Sequence, residues 1–323
     1  MADARWWNRR KLTQSGRHAP NLLSVWFVAP VTLIAASGAF AVIYWVISRA
    51  VSHGHNSVSV PDRIKITIAI LTLTGFVLAG VYAYRKQRIA EGDTYRADAT
   101  HLADRYTTAA SQLGHDTPAV RLAGVYAMAR LADEWEEQRQ VCIDVLCAYL
   151  RMPYETDPES AKYKEGEREV RHTIIRVIRS HLQQPKARTS WSACMFDFTG
   201  ATFDGGHLMG SHFLGGVSFA LAKFCGGSVT LSEARFSGPA VTFAGAEFSD
   251  GTVSFSGSQF SHVFFLGAKF CGGTVLFRDA KVCGLTVFDN AEFSGGTVSF
   301  DNVEFSGTNV QWGPIQPPED WPT

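Results

Sequence analysis

The sequence predicts a multi-part α+β protein that combines two transmembrane helices, a small all-α module and a C-terminal β-helix of about five coils. Three observations support this prediction. Two long apolar runs lie in the first quarter of the chain, helical periodicity fills its middle, and a short repeat extends from Phe198 to Val310. Self-similarity at so short a period is typical of a solenoid rather than of a globular enzyme domain.

The repeat places a large apolar residue at steps of mostly five or seven residues, with a small or β-branched residue two positions earlier. Examples are FCGGTVLF (270–277) and FSGGTVSF (293–300). Residues i−2 and i of an extended segment point to the same side, so both are predicted to face inward. The predicted large inward residues are Phe198, Phe203, Leu208, Phe213, Phe219, Phe224, Leu231, Phe236, Phe243, Phe248, Phe255, Phe260, Phe265, Phe270, Phe277, Val282, Phe288, Phe293, Phe300, Phe305 and Val310.

This spacing resembles the pentapeptide-repeat family, which implies four five-residue faces per coil and a right-handed quadrilateral β-helix. With four faces, each short insertion falls at one of the same two opposite corners. Several insertions are glycine pairs such as Gly272-Gly273, as expected where the backbone takes a positive φ or bulges outward. The predicted stacked rows are Phe198, Phe219, Phe243, Phe265 and Phe288; Phe203, Phe224, Phe248, Phe270 and Phe293; Leu208, Leu231, Phe255, Phe277 and Phe300; and Phe213, Phe236, Phe260, Val282 and Phe305.

Two further segments are similar to actinobacterial membrane-anchored members of this family. They are RYTTAASQLGHDTPAVRLAGVYAMARLADE (105–134) and WSACMFDFTGATFDGG (191–206). The resemblance implies two N-terminal transmembrane helices ahead of the repeats.

The two apolar runs are each long enough to cross a bilayer, which takes about 20 residues. Soluble helices rarely lack a polar face over such a length, and the first run is too long for a cleaved signal peptide. Basic residues cluster before the first run and after the second, which predicts a cell-membrane protein with both termini in the cytoplasm. The predicted segments are a basic cytoplasmic N-terminus (1–21), a first span (22–48), an external loop (49–63) and a second span (64–84).

The remaining residues divide into a helical cytoplasmic module (85–190), the repeats (191–310) and a tail (311–323). Thr117-Pro118 favours a helix start, and the polar stretch 152–166 favours a loop. The tail contains bulky apolar residues and four prolines, which cannot extend a sheet. It is therefore predicted to cap the last coil, with self-association through the spans or the helices.

No residue is predicted to be catalytic, to bind a cofactor or to ligate a metal. His53 and His55 are too few ligands for a metal, and His207 and His212 fall on neighbouring faces of the first coil. The six cysteines form no CxxC pair and are predicted to be free thiols. An acidic run is interpreted as a solvated helix end: Asp133, Glu134, Glu136 and Glu137.

The favoured function is a membrane-tethered, non-enzymatic protein–protein interaction scaffold with an unidentified protein partner and no small-molecule substrate. The alternative, implied by the family, is a DNA mimic that inhibits or protects a topoisomerase, as in members linked to fluoroquinolone resistance. A duplex carries one charge per ~1.7 Å, so a mimic needs dense acidity. Residues 191–310 hold ten acidic and five basic residues, and the whole chain has a net charge of +0. This balance favours the scaffold over nucleic-acid mimicry or binding.

Overall fold

The computed structural model describes the backbone of residues 60–306 and 310–311 and a few helical positions between 33 and 45; side chains are described for part of the segment 65–90 and from residue 100 onward. The chain divides into two compact units, Met1–Thr100 and His101–Thr323. Most of the predicted first span and external loop, and tail residues 312–323, lie outside the described residues. So do His53 and His55.

The first described element is the helix α1 (Val60–Leu113), which contains the predicted second span 64–84 and ends in the second unit. Within the part of the chain that the structure describes, no helix is apolar enough over a sufficient length to cross a membrane.

Three shorter helices of the second unit form a compact module: α2 (Pro118–Glu134), α3 (Arg139–Arg151) and α4 (Glu167–Leu182), with a 3₁₀ turn at Glu136–Gln138. As predicted, α2 follows Thr117 with proline in its first turn, and a loop precedes α4. The three helices share a core that includes Val125, Met128, Ile143, Leu146 and Ile174.

The repeats form a solenoid of about five coils in which all strands pair in parallel with the equivalent strand of the next coil. The strands in chain order are β1 (Phe196–Asp197), β2 (Thr202–Phe203), β3 (Gly206–His207), β4 (His212–Phe213), β5 (Val217–Ser218), β6 (Lys223–Thr230), β7 (Arg235–Phe236), β8 (Val241–Thr242), β9 (Glu247–Ser254), β10 (Gln259–Phe260), β11 (Val263–Phe264), β12 (Lys269–Leu276), β13 (Lys281–Val282), β14 (Thr286–Val287), β15 (Glu292–Ser299), β16 (Glu304–Phe305) and β17 (Val310–Gln311).

The four predicted rows of inward residues are confirmed. In every row, phenylalanines of adjacent coils stack with ring centroids 4.6 to 5.2 Å apart. The strand register places Leu208 and Leu231 in the row of Phe255, and Val282 in the row of Phe260. We call the faces that carry the rows of Phe198, Phe203, Leu208 and Phe213 the first to fourth faces.

The last predicted inward residue, Val310, packs against the core as predicted, but it does not hold the predicted register. Val310 pairs with Thr286, which lies two residues before Phe288. It therefore holds the i−2 register and not the register of the phenylalanine row. The five-residue step from Phe305 points to Val310, but the position equivalent to Phe288 comes two residues later. No further repeat follows in the sequence to define the register.

The corners also differ from the expected pattern. From the second coil onward the second and third faces are not separate walls, because the eight-residue strands β6, β9, β12 and β15 continue through the inserted pairs, which are Gly-Gly in β6, β12 and β15 and Asp250-Gly251 in β9. Gly273 has a positive φ there, as predicted. Positive φ also occurs at the corners after the first and third faces, where the sequence had not indicated it. The residues are Gly200, Leu221, Gly245, Gly267 and Asn290, and Gly210, Glu233, Gly257, Asp279 and Asn302.

The helical module covers the N-terminal end of the solenoid. Helices α3 and α4 contact β1 and β3 of the first coil, where β-strands would otherwise expose an unpaired edge. In the i−2 row of the third face, Gly206 stands where the later coils have valine. A Cβ at Gly206 would lie 2.9 Å from Cδ1 of Ile175 on α4. The glycine thus makes room for the helix.

Thr286 is a local defect in the core near the last coil. It is 2% exposed, and its hydroxyl has no hydrogen-bond partner among the described residues. Val217, Val241 and Val263 occupy the same row. A small apolar cavity lies beside it, partly because Val282 occupies a phenylalanine row.

Replacing Thr286 with valine is therefore expected to stabilise the chain. The isosteric change removes a buried unpaired hydroxyl, which costs about 1–3 kcal/mol in proteins, and the measurement is the midpoint of thermal unfolding. Ser258→Ala is the control, because the buried Ser258 hydroxyl donates to the Leu231 carbonyl at 2.7 Å. We expect this control to be neutral or destabilising. A lower midpoint for Thr286→Val would contradict the assignment of an orphaned hydroxyl.

Candidate interaction surfaces

The outward residues of each face stack into straight rows along the solenoid. On the second face the register aligns Lys223, Glu247, Lys269 and Glu292. Charges also occur on the fourth face, where Lys281 and Glu304 form an ion pair at 2.7 Å. Basic and acidic residues therefore alternate and do not form a continuous acidic surface.

The first face differs, because its central coils carry no charge between Asp197 and Asp289. Leu221 is 61% exposed and Leu266 is 42% exposed, and Phe264 beside Leu266 is half-buried. We call this surface the first-face strip. It consists of Ala220, Leu221, Thr242, Ala244, Gly245, Phe264, Leu266 and Gly267, and it ends at the buried Ser218 and Val287 of the neighbouring strands.

Leu221 is unusual in backbone as well as in exposure. Its φ is 57°, in the left-handed region, where the equivalent positions of three other coils are glycine. A bulky residue costs roughly 1–2 kcal/mol in this conformation. Its side chain extends over Gly245 of the next coil, where a Cβ would lie 2.8 Å from Leu221 Cδ2. The chain thus retains an exposed apolar residue where glycine would fit without strain.

A cluster of polar residues around Asp204 joins the helical module to the first coil. The Asp204 carboxylate accepts hydrogen bonds from Arg168 Nε at 2.8 Å and Tyr154 OH at 2.8 Å, and it lies 2.9 Å from His172 Nε2. Burial raises the pKa of Asp204, but the bonds from His172, Tyr154 and Arg168 outweigh it and lower the pKa to about 2. The carboxylate is thus ionised at neutral pH and holds three groups of the module.

Buried charges continue from this cluster into the module. Arg171 lies over the Tyr154 ring at 4.5 Å and donates to the Thr202 carbonyl of the first coil at 3.3 Å. Glu167 accepts a hydrogen bond from Tyr149 at 2.9 Å and pairs with the fully buried Arg121 at 3.4 Å. Nearly every donor of these buried groups has a partner, which is what allows charges to be buried at all. The arrangement binds α2, α4 and the first coil together.

Another polar cluster, around Trp191, connects the segment before the solenoid to the helical module. The Trp191 indole donates to Asp133 Oδ1 at 3.0 Å and stacks on His181 with centroids 4.0 Å apart. His181 Nε2 lies 3.1 Å from Asp133 Oδ2, and its Nδ1 lies 2.8 Å from the Val177 carbonyl. Both ring nitrogens face acceptors, so the doubly protonated imidazolium satisfies the site.

The interpretation of the acidic run as a solvated helix end holds for the exposed Glu134 but is wrong for the half-buried Asp133. Asp133 holds His181 and Trp191, and Glu134 pairs with Arg130 at 2.9 Å and with Arg105. Hydrogen bonds from these two arginines lower the pKa of Glu134 to about 2. The partners of Asp133 and Glu134 are distant in sequence or lie one turn away on the same helix. The spacing of the acidic run therefore does not reveal them. Glu136 and Glu137 are exposed, as predicted.

Stability is expected to fall as the pH rises through the folded-state pKa of His181. Burial lowers this pKa, but the bonds to Asp133 and Val177 outweigh it and raise the pKa above the ordinary value of 6.5. The charged form thus stabilises the fold fully below that ordinary value and loses the contribution at higher pH. The measurement is the unfolding midpoint across this range in the parent and in His181→Gln. An unchanged pH slope in the variant would contradict the role of His181.

The histidines and cysteines named in the sequence analysis do not form a common site among the described residues. His207 in β3 is exposed, and His212 in β4 is half-buried on the next face, so the two point in different directions as predicted. Burial and the nearby Arg235 lower the pKa of His212. All six cysteines are free, as predicted. Over the described residues, no group of three metal-ligating side chains comes together.

Comparison with protein-family models matches residues 198–241 to the model described as Pentapeptide repeats (9 copies). No curated protein matches the chain. The matched residues form the first two coils and the start of the third, and strand pairing carries the same inward register to Phe305. The repeat pattern, the stacked rows and the family match agree, and the chain is a pentapeptide-repeat protein.

Proposed function

We propose that this chain is a membrane-tethered, non-enzymatic scaffold that presents its solenoid to a protein partner in the cytoplasm. The observation that carries the proposal is the first-face strip, an uncharged surface with two exposed leucines, one of them strained. Solenoids offer extended surfaces rather than pockets. Exposed apolar residues retained at a cost in backbone strain are typical of binding surfaces.

The alternation of lysine and glutamate on the second face favours the scaffold over the DNA mimic. A mimic of a duplex needs closely spaced negative charges along one surface. On this face, Lys223 and Lys269 interrupt the acidic row at every second coil.

Tethering is supported by the apolar sequences 22–48 and 64–84 and by the basic residues that flank them. Thiol labelling in intact cells tests it. We expect a membrane-impermeant reagent to label Ser57→Cys from outside and to leave the exposed native Cys271 and Cys283 unlabelled until the cells are permeabilised. Labelling of these two cysteines in intact cells would place the solenoid outside, and no labelling of Ser57→Cys would contradict the two-span topology.

Proximity labelling from the solenoid in the native host tests the scaffold. We expect a set of labelled proteins that disappears in Leu221→Ser/Leu266→Ser and persists in the control Ser237→Ala on the fourth face. These leucines are exposed, so the change leaves the inward rows intact. Topoisomerase subunits labelled equally in all variants would favour the DNA mimic instead.

A further inference from the structure

The charges on the second face alternate in sign from coil to coil. From the second coil onward, one outward row of this face consists of Lys223, Glu247, Lys269 and Glu292, and the strand register places each residue beside the next. We call these four residues the charge row. The strands that carry it, β6, β9, β12 and β15, contain one further charged residue, Asp250.

The charge row has no ion pair among the described residues. Three of its side chains are exposed, and Glu247 is half-buried. On the fourth face, by contrast, the opposite charges Lys281 and Glu304 of adjacent coils pair with each other at 2.7 Å. The charges of the second face are therefore available to a second molecule.

The charge row is complementary to its own reversed copy. A two-fold axis that lies in the plane of the contact, along the strands and between Glu247 and Lys269, brings two second faces together with the coils in opposite order. It places Lys223 of each copy opposite Glu292 of the other. It also places Glu247 opposite Lys269, so that four ion pairs form in an isologous contact. Two copies that ran in the same direction would instead bring like charges together.

The neighbouring residues are compatible with this arrangement. The same axis places Asp250 opposite Gly272 and Gly273 of β12, and not opposite another charge. The fourth face does not share the property, because reversal of its outward row would bring Arg235 opposite Lys281. Self-complementarity is therefore specific to the second face among the two faces that carry alternating or clustered charges.

The available area indicates a weak dimer. The four strands are eight residues long, so they offer about 26 Å by 19 Å, or at most about 500 Å². Two copies together bury at most about 1,000 Å², and interfaces below about 1,200 Å² are typical of weak, transient complexes. Exposed ion pairs contribute little each and are screened by salt. The contact should therefore form at high protein concentration and low ionic strength.

We propose that two copies of this chain associate through their second faces, in opposite directions, with the two charge rows paired. The row selects a second copy as its partner because its order of charges matches only its own reversal. This contact uses a different face from the first-face strip. It therefore stands independently of the proposed scaffold function.

The test is energy transfer between copies of the purified full-length chain labelled with donor or acceptor dyes at the exposed Cys283, outside the proposed contact. Cys225 and Cys271 adjoin the charge row and are first replaced by serine, which the chain carries at the equivalent Ser249. Burial raises the pKa of the Cys194 thiol to about 11, so this thiol stays protonated and reacts poorly with the dyes.

We expect energy transfer between parent copies at low salt and a loss of transfer in Lys223→Glu/Lys269→Glu, in which both facing rows are wholly acidic. The expected rise in Kd is at least tenfold, which corresponds to about 1.4 kcal/mol. Arg235→Glu/Lys281→Glu is the matched control, because it makes the same change in net charge on the fourth face. It is expected to leave the Kd unchanged.

Reversal of the whole row gives a sharper test. The variant Lys223→Glu/Glu247→Lys/Lys269→Glu/Glu292→Lys keeps opposite charges side by side within one chain, so its fold meets no new repulsion. We expect this variant to associate with itself as the parent does. We expect no transfer between the variant and the parent, because their rows bring like charges together when the coils run in opposite order.

Three results would overturn the proposal. The first is no transfer between parent copies at low salt. The second is the same Kd for the parent and Lys223→Glu/Lys269→Glu, which would mean that association uses another part of the chain. The third is transfer only in the mixture of the parent with the reversed variant, which would mean that the two copies run in the same direction.

Discussion

Replacing Phe248 with aspartate is expected to unfold the middle of the solenoid. Phe248 is 1% exposed and lies between the rings of Phe224 and Phe270, each 4.8 Å away. The change removes a buried ring, which costs about 3–5 kcal/mol, and desolvates a carboxylate, which adds several more. The total approaches the ~5–15 kcal/mol that stabilises a whole domain. We expect loss of the β-sheet circular dichroism signal at room temperature.

Ser249→Asp is the matched control, one residue further along the same strand. Ser249 faces outward, is half-buried, and donates to the Phe224 carbonyl at 3.3 Å. We expect its replacement to change stability by about 1 kcal/mol or less, as is usual for surface positions. Equal damage at both positions would mean that the inward and outward sides of the strands are assigned wrongly.

The four rows of the solenoid could be predicted because a single rule applies to every coil. Residues i−2 and i both point inward, and parallel pairing places each coil in the register of the one before it. A phenylalanine therefore predicts the position of the next one. The rule fails at Val310, where one further repeat would have been needed to choose between the i−2 and i registers.

The packing of the helices on the first coil could not be predicted, because it is a contact between segments that share no period. Asp204 and Gly206 are the residues that allow it, and each is an exception in its row. Asp204 stands where later coils have cysteine or serine, and Gly206 where they have valine. Aligning the sequences of the coils with one another would therefore single out Asp204 and Gly206 as exceptions. The same alignment places Leu221 among three glycines and Asn290, and this contrast indicates the strained corner.

Asp204→Asn is expected to loosen the helical module from the first coil. The carboxylate is 12% exposed and receives hydrogen bonds from Arg168 and Tyr154, with His172 also in range. Asparagine retains one acceptor and turns an N–H₂ group toward these donors. We expect a loss of about 2 kcal/mol, since hydrogen bonds to a charged group contribute about 1.5–3 kcal/mol each and the variant keeps part of the network.

The pH dependence separates this electrostatic role from a purely steric one. The folded-state pKa of Asp204, about 2, lies below its ordinary value of 3.8, so the ionised carboxylate stabilises the fold fully above about pH 4 and loses this contribution as the pH falls toward 2. The unfolding midpoint of the parent should therefore drop more steeply in this window than that of Asp204→Asn. Asp250→Asn, which alters an exposed carboxylate on the solenoid, should behave like the parent. Parallel acid profiles for the parent and Asp204→Asn would mean that Asp204 does not hold the module to the solenoid through its charge.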